Sequence, residues 1–254
     1  MAQNLNPQQQ AALKYIDGPL LVLAGAGSGK TSVITRKIAY LVEDCGIAAR
    51  NIAAVTFTNK AAREMKARIG TLLPKEKAVG LKVSTFHNLG LTIIRTEIKA
   101  LGFRTGFSIL DQEDCRKLIK ELLVRRTELD EKLIDTAQNT ISNWKNSLLE
   151  PGHAVGAANS TGEQGIALLY ERYQRALKAY NAVDFDDLIM IPVLMFRQQP
   201  EILAKWQKRI RYLLVDEYQD TNLAQYELVK TLVNEKQALT VVGDDDQSIY
   251  AWRG

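Results

Sequence analysis

The chain is expected to fold as an α/β domain with a parallel sheet, interrupted by a mostly helical insertion. Three observations lead there. Short β-rich runs alternate with helical patterns at the start, a helical block fills the middle, and two apolar runs that end in acid return near the end. Parallel strands need crossover connections, usually helices, so the alternation selects a parallel sheet.

The first strand is Leu20-Leu21-Val22-Leu23. Directly after it comes Ala24-Gly25-Ala26-Gly27-Ser28-Gly29-Lys30-Thr31, and then a helical pattern from Ser32 to Leu41. Strand, glycine-rich loop, Lys-Thr and helix is the order of a phosphate cradle. The glycines let successive backbone N–H groups turn inward, and the helix N-terminus adds positive partial charge. Lys30 is placed to reach β- and γ-phosphates, and the Thr31 hydroxyl to ligate Mg²⁺. Ala24 stands where the strict pattern has its first glycine.

Two more strands follow, Ile52–Phe57 and Leu81–Thr85, with the helix Asn59–Lys66 between them, rich in good helix formers. From about His87 to Trp206 helical periodicity dominates, as in Asp114–Arg126, Glu131–Lys145 and Ala167–Tyr180. Phe107–Leu110 is a brief apparent strand, while Pro151-Gly152 and the small-residue stretch Gly156–Gly165 read as loops. The β pattern returns in Arg211–Asp216 and Ala238–Asp244, separated by the helix Ala224–Asn234. The first and last segments therefore share one sheet.

Composition bounds the class. The 254 residues are 46% hydrophobic and 24% charged, average for a globular chain with a normal core. No apolar stretch approaches the length of a membrane-spanning helix, and the polar start Met1-Ala2-Gln3-Asn4 carries no secretory pattern. Cys45 and Cys115 lie far apart, match no metal spacing and read as reduced cytoplasmic thiols; His87 and His153 form no metal pair. The net charge of +4 permits a nucleic-acid partner without requiring one.

A phosphate loop needs a metal-holding acid at the tip of a neighbouring strand. Leu213-Leu214-Val215-Asp216-Glu217 supplies it: Asp216 to hold Mg²⁺ through water, Glu217 to polarise the attacking water as general base. A third acidic strand end, Val242-Gly243-Asp244-Asp245-Asp246-Gln247, follows. Gln247 can donate to a γ-phosphate and accept from water, and so report whether the nucleotide has been cleaved.

These motifs stand in the order of a known group. The chain resembles the superfamily 1A DNA helicases, the Rep/UvrD/PcrA group, over essentially its whole length. Leu5-Asn6-Pro7-Gln8-Gln9-Gln10-Ala11 is similar to the N-terminal glutamine motif, and Ala24–Thr31 to motif I. Thr56–Ala62 is similar to motif Ia, Ser84-Thr85-Phe86-His87 to motif Ib, Val215–Asn222 to motif II and Val242–Gly254 to motif III. Asp184-Phe185-Asp186-Asp187-Leu188 matches a further segment; Tyr218 and the run Gln225–Lys230 favour the Rep branch.

The resemblance implies a RecA-like P-loop NTPase: motor domain 1A from residues 1–88 and 198–254, with the helical subdomain 1B inserted at 89–197. It implies an ATP-dependent 3′-to-5′ DNA helicase with ATP and Mg²⁺ as cofactors, Gln9 reading adenine, and cytoplasmic settings in replication and repair. Ser32 stands where many relatives place an adenine-packing Arg, with Arg36 one turn further on to substitute. A second motor domain, whose arginines reach the γ-phosphate, is expected to follow Gly254. Without it these residues are expected to bind ATP–Mg²⁺ and single-stranded DNA with little turnover and no unwinding.

Single strands are held by stacking platforms and basic grooves. Phe57, Phe185, Tyr250 and Trp252, with Arg253 beside them, are the platform candidates. Read as residue types, the aromatics are more often core than base contact, although Tyr250-Ala251-Trp252-Arg253 after an acidic loop is unusual for a buried strand. The resemblance favours base contacts for Phe185, Tyr250 and Trp252, places Phe57 where a base passes, and sets Thr85 and His87 against the backbone; His87 fits packing equally well. Gln247 and Trp252 stand five residues apart, so one shift of motif III could move both. The basic stretch Lys205–Arg211 reads as a solvated helix face.

Overall fold

The computed structural model describes residues 5–25, 27, 29–123, 131–233 and 238–244. In chain order it runs α1 (Pro7–Lys14), β1 (Leu20–Leu23), α2 (Lys30–Glu43), β2 (Ile52–Thr56), α3 (Asn59–Leu72), β3 (Lys82–Thr85) and α4 (Phe86–Thr96). Then come β4 (Ser108–Leu110), α5 (Gln112–Leu123), α6 (Glu131–Asn146), α7 (Pro151–Ala157), α8 (Thr161–Ala179), β5 (Ala182–Asp184) and α9 (Asp187–Gln198). The chain closes with α10 (Pro200–Arg209), β6 (Tyr212–Val215), α11 (Leu223–Leu232) and β7 (Ala238–Gly243). It is the mixed α/β architecture of a RecA-like domain with a parallel sheet.

Two compact units divide these elements. One takes in the described residues between Met1 and Leu89, Phe196 and Thr221, and Tyr226 and Trp252. Its sheet has the order β1-β7-β6-β2-β3, parallel throughout, with Leu23 beside Gly243, Val215 beside Val241 and Thr56 beside Thr85. β2 and β6 are buried along their whole length, as continuous apolar strands covered on both faces should be. α2 sends Ile34, Ile38 and Leu41 into a core with Ile52, Ala54, Met65, Ile69, Leu214 and Val242. α3 starts where it does because the Thr58 hydroxyl accepts from the Ala61 N–H at 3.0 Å, and it buries Ala62, Met65 and Ile69 at helical spacing.

The second unit, Gly90–Met195 with Asn222–Gln225, is mostly helical. Its core gathers Leu118 and Ile119 from α5, Ile134 and Ile141 from α6, and Tyr170, Tyr173 and Leu177 from α8. β4 and β5 form a separate two-stranded parallel pair. On α4, a side chain at Gly90 would place Cβ 1.8 Å from the Leu188 carbonyl oxygen on α9, so glycine is what permits the approach.

Two expectations are corrected. Pro151-Gly152 opens α7 instead of a loop: Pro151 occupies the first helical turn, where its missing N–H costs nothing. Most of Gly156–Gly165 is helical too, because Ser160 caps α8 by accepting from the Glu163 N–H at 3.2 Å, leaving a short break between the helices. Glycine-poor propensity lost here to capping and tertiary packing. Among the described residues no helix is long and apolar enough to cross a membrane.

Candidate functional site

The strand order brings three chain segments together. β7 lies between β1 and β6, so the loop after β1, the Asp-Glu pair after β6 and the acid after β7 open at one end of neighbouring parallel strands. Carboxyl ends of parallel strands are where such sheets bind ligands. The Ala24 N–H donates to the Gly243 carbonyl at 3.0 Å and pins the start of the loop to β7. Gly27 and Gly29 have φ of 73° and 85°, which favours glycine, and Gly29 starts α2 with no side-chain cap, so the first-turn N–H groups are not claimed by a capping side chain. Ala26, Ser28, Gln247, Tyr250, Trp252 and Arg253 lie outside the described residues.

Lys30 is 8% exposed; its Nζ donates to Asp244 Oδ2 at 2.9 Å and lies 4.0 Å from Glu217 Oε2. Asp216 is buried and accepts from the Glu217 N–H at 3.1 Å. Burial first, and the Glu217 charge second, push its carboxyl up to about 6. Glu217 sits in the left-handed region at φ 52°, uncommon for a non-glycine residue. Its carboxylate accepts from Gln219 Nε2 at 2.9 Å, and Gln219 Oε1 accepts from the Asp244 N–H at 3.0 Å. Gln219 therefore bridges the carboxylate after β6 to the backbone after β7.

The sequence by itself does not mark Asp244 or Gln219 as a site residue. Asp244 carried a signal, an acid directly after an apolar strand, as Asp216 is. Gln219 carried none, since its role exists only across two strand ends.

Thr31 and Ser32 lie half-buried in the first turn of α2, and the Thr35 hydroxyl donates back to their carbonyls at 3.0 and 3.2 Å. Gln9 is on α1, in a reciprocal cap with Asn6: the Asn6 N–H donates to Gln9 Oε1 at 3.0 Å and the Gln9 N–H to Asn6 Oδ1 at 2.8 Å. Gln9 Nε2 lies 3.4 Å from where a Cβ on Gly29 would stand, so α1 presents this amide against the loop. Arg36 lies further along α2, with Leu5, Leu13, Tyr40, Glu43 and Asp44 around it.

Among the described residues no group of three or more His, Cys, Asp or Glu side chains is arranged to hold a metal. A Mg²⁺ site of the nucleotide-dependent kind needs only one or two protein oxygens, the rest coming from phosphate and water. Thr31 and Asp216 fit that donor set: a buried carboxylate beside a like charge is favoured by an added cation.

Phe57 and Thr85 lie at the carboxyl ends of the adjacent strands β2 and β3. Phe57 is half-buried, its ring 5.4 Å from that of Phe86. His87 is half-buried in the first turn of α4. Thr85 is 5% exposed, and its hydroxyl accepts from the Asn88 N–H at 3.2 Å and so caps α4 while its own O–H remains a donor.

In the second unit Phe185 is 51% exposed, in the turn between β5 and α9. A buried network holds that turn. Lys145, fully buried, donates to Asp184 Oδ2 at 2.6 Å and Asp187 Oδ1 at 2.8 Å, and Tyr173 donates to Asp184 Oδ2 at 2.9 Å. Burial opposes the Lys145 charge, but Asp187 and Asp184 outweigh it and hold its pKa above the ordinary value. Burial and the Asp184 charge raise Asp187 above the usual carboxylate range.

The sequence model of the UvrD/REP helicase N-terminal domain matches residues 5–254. The chain belongs to that family. It is 55% identical over 250 residues to "ATP-dependent DNA helicase Rep" of Salmonella typhimurium and 56% identical over 250 residues to the Rep of Escherichia coli, covering 98% of this chain and 37% of each relative. It is 45% identical over 256 residues to "ATP-dependent DNA helicase PcrA" of Staphylococcus epidermidis, covering 100% of this chain and 35% of that relative. The chain thus spans little more than a third of the length of these UvrD/REP relatives.

Proposed function

We propose that this UvrD/REP domain binds ATP with Mg²⁺ and single-stranded DNA, and is the first motor unit of a 3′-to-5′ DNA helicase. Residues 1–88 and 198–254 form the motor domain and 89–197 the inserted subdomain. The observation that carries the reading is the convergence of Lys30, Glu217 and Asp244 at the ends of adjacent strands. The relatives, named as ATP-dependent DNA helicases, support the substrate and partner.

In this reading the triphosphate lies in the loop 24–31, against backbone N–H groups and the N-terminus of α2. Lys30 exchanges Asp244 for the β- and γ-phosphates. Thr31 and Asp216 would hold Mg²⁺, which would supply neutralising charge to the phosphate oxygens. Glu217 takes the proton of the attacking water, and Gln219 holds its carboxylate in place for that. Gln9 selects adenine from α1, beside Ser32 and Arg36, and Gln247 senses the γ-phosphate. Phe57, Thr85, His87, Phe185, Tyr250, Trp252 and Arg253 are each candidate contacts to the single strand, with Gln247 and Trp252 responding together when the γ-phosphate is lost. The setting is cytoplasmic, in replication or repair.

The 254 residues alone are proposed to bind both ligands and turn over slowly. Transition-state arginines supplied from outside are worth about 10³–10⁵ in rate in related chemistry. The test is ATP turnover with and without single-stranded DNA, repeated after adding a second motor domain from a Rep relative. A rate that rises only with both present supports the reading. Glu217→Gln should retain ATP binding and lose hydrolysis; retained turnover excludes Glu217 as base.

A further inference from the structure

α1 is short and poorly anchored by apolar packing. It has eight residues, none of them buried. Isolated helices of that length are marginal in water, so tertiary contacts must place it. Yet it carries Gln9, whose amide stands against Gly29.

The contact that places it comes from α2. Val33, Ile34, Ile38 and Leu41 make the buried stripe of α2, and Lys37 sits in the middle of it with 0% exposure. A lysine is almost never buried completely without partners. Lys37 Nζ donates at 2.6 Å to the carbonyl of Ala12 and at 2.6 Å to that of Tyr15. Both carbonyls belong to the C-terminal end of α1, where the last turn leaves acceptors without intrahelical partners and the helix dipole is negative. The same ammonium lies 5.8 Å from the centroid of the Tyr212 ring on β6. Tyr212 is itself buried and hydrogen-bonded to Thr240 at 3.0 Å. One cation thus ties the end of α1 to the phosphate-loop helix and to the sheet.

We infer that Lys37 is a positioning residue for base selection: by clamping the C-terminal carbonyls of α1 it holds Gln9 over the phosphate loop. The inference rests on the reading of Gln9 as the adenine-selecting residue. Lys37 touches neither phosphate nor base. It acts through two hydrogen bonds on a helix none of whose eight residues is buried.

The test compares the 254-residue chain with its Gln9→Ala, Lys37→Met and Lys37→Arg variants. Affinities for ATP and GTP are measured by titration, and hydrogen–deuterium exchange is followed over α1. Met keeps the length and apolar stem of Lys37 but donates nothing; Arg keeps the charge and the donors. Lys37→Met is expected to cut the ATP-over-GTP preference at least about fivefold and to speed exchange in α1, while α2 stays protected. A few-fold loss is what one positioning interaction of about 1 kcal/mol supplies. Lys37→Arg is expected to keep most of the preference. The inference is overturned if Gln9→Ala abolishes the preference but Lys37→Met leaves it within about twofold, or if exchange in α1 is unchanged. If Gln9→Ala leaves the preference intact, the adenine reading fails instead, and exchange alone then decides whether Lys37 anchors α1.

Discussion

Replacing Lys145 by Met removes the cation of a buried ion cluster without opening a large void. Its Nζ holds Asp184 Oδ2 at 2.6 Å and Asp187 Oδ1 at 2.8 Å, and the two aspartates are 5% and 1% exposed. Water cannot replace the lost partner at such depth. Breaking a buried pair by deleting one partner costs about 3–5 kcal/mol, because an uncompensated charge is left behind. For a chain of about 250 residues that lowers the melting temperature by roughly 6–20 °C. The cost depends on pH, with a sign that the structure determines. Asp187 already binds its proton more tightly in the folded than in the unfolded form, because burial and Asp184 outweigh the pull of Lys145. A group of that kind supports the fold at low pH and ceases to as pH rises through its folded value. Deleting Lys145 removes the opposing pull, so the destabilisation should be smaller near pH 5 and larger near pH 8. Urea unfolding followed by circular dichroism at both pH values measures it. A loss below about 1 kcal/mol near pH 8, or an equal loss at both, refutes the ion cluster as the element that holds the Phe185 turn.

Four further outcomes are expected. Gly90→Ala should destabilise by about 1–3 kcal/mol in thermal unfolding, despite a better helix former, since its Cβ would stand 1.8 Å from the Leu188 carbonyl; unchanged stability contradicts the close approach. Lys30→Ala should abolish binding of a fluorescent ATP analogue while single-strand binding persists; retained nucleotide affinity removes Lys30 from the phosphate site. Gln219→Ala should lower kcat roughly tenfold with little change in KM for ATP, since it holds the Glu217 carboxylate rather than the substrate; a change confined to KM contradicts that role. Trp252→Ala should weaken single-strand binding by about 1–3 kcal/mol, and that binding should fall with added salt. No loss in an anisotropy titration takes Trp252 off the strand-binding surface.

Much of the fold was legible because strand and helix signals here are local. Leu20–Leu23, Ile52–Thr56 and Tyr212–Val215 are apolar runs of strand length, and α2, α3 and α6 show unbroken apolar periodicity. The misreadings fell where composition and capping disagree. Pro151, Gly152 and Gly156 look like loop residues, but a proline in the first turn and a serine cap at Ser160 are compatible with helix. Thr85 also accepts the Asn88 N–H at the start of α4, a local role that its motif does not show.

The chain's own order of residues determined the glycine-rich loop before α2, the Asp216-Glu217 pair and the alternation that makes the sheet parallel, since each depends on neighbours within a few positions. Only the tertiary structure decided that β7 lies between β1 and β6, and with it that Asp244 meets Lys30 and Gln219 joins Glu217 to β7. It alone placed Lys37 under the end of α1 and Lys145 between two aspartates. A buried lysine and an exposed one look alike in a sequence. What separates them is whether acceptors from distant segments arrive to satisfy the charge, and that is settled by strand order and helix packing rather than by the residue's neighbours in the chain.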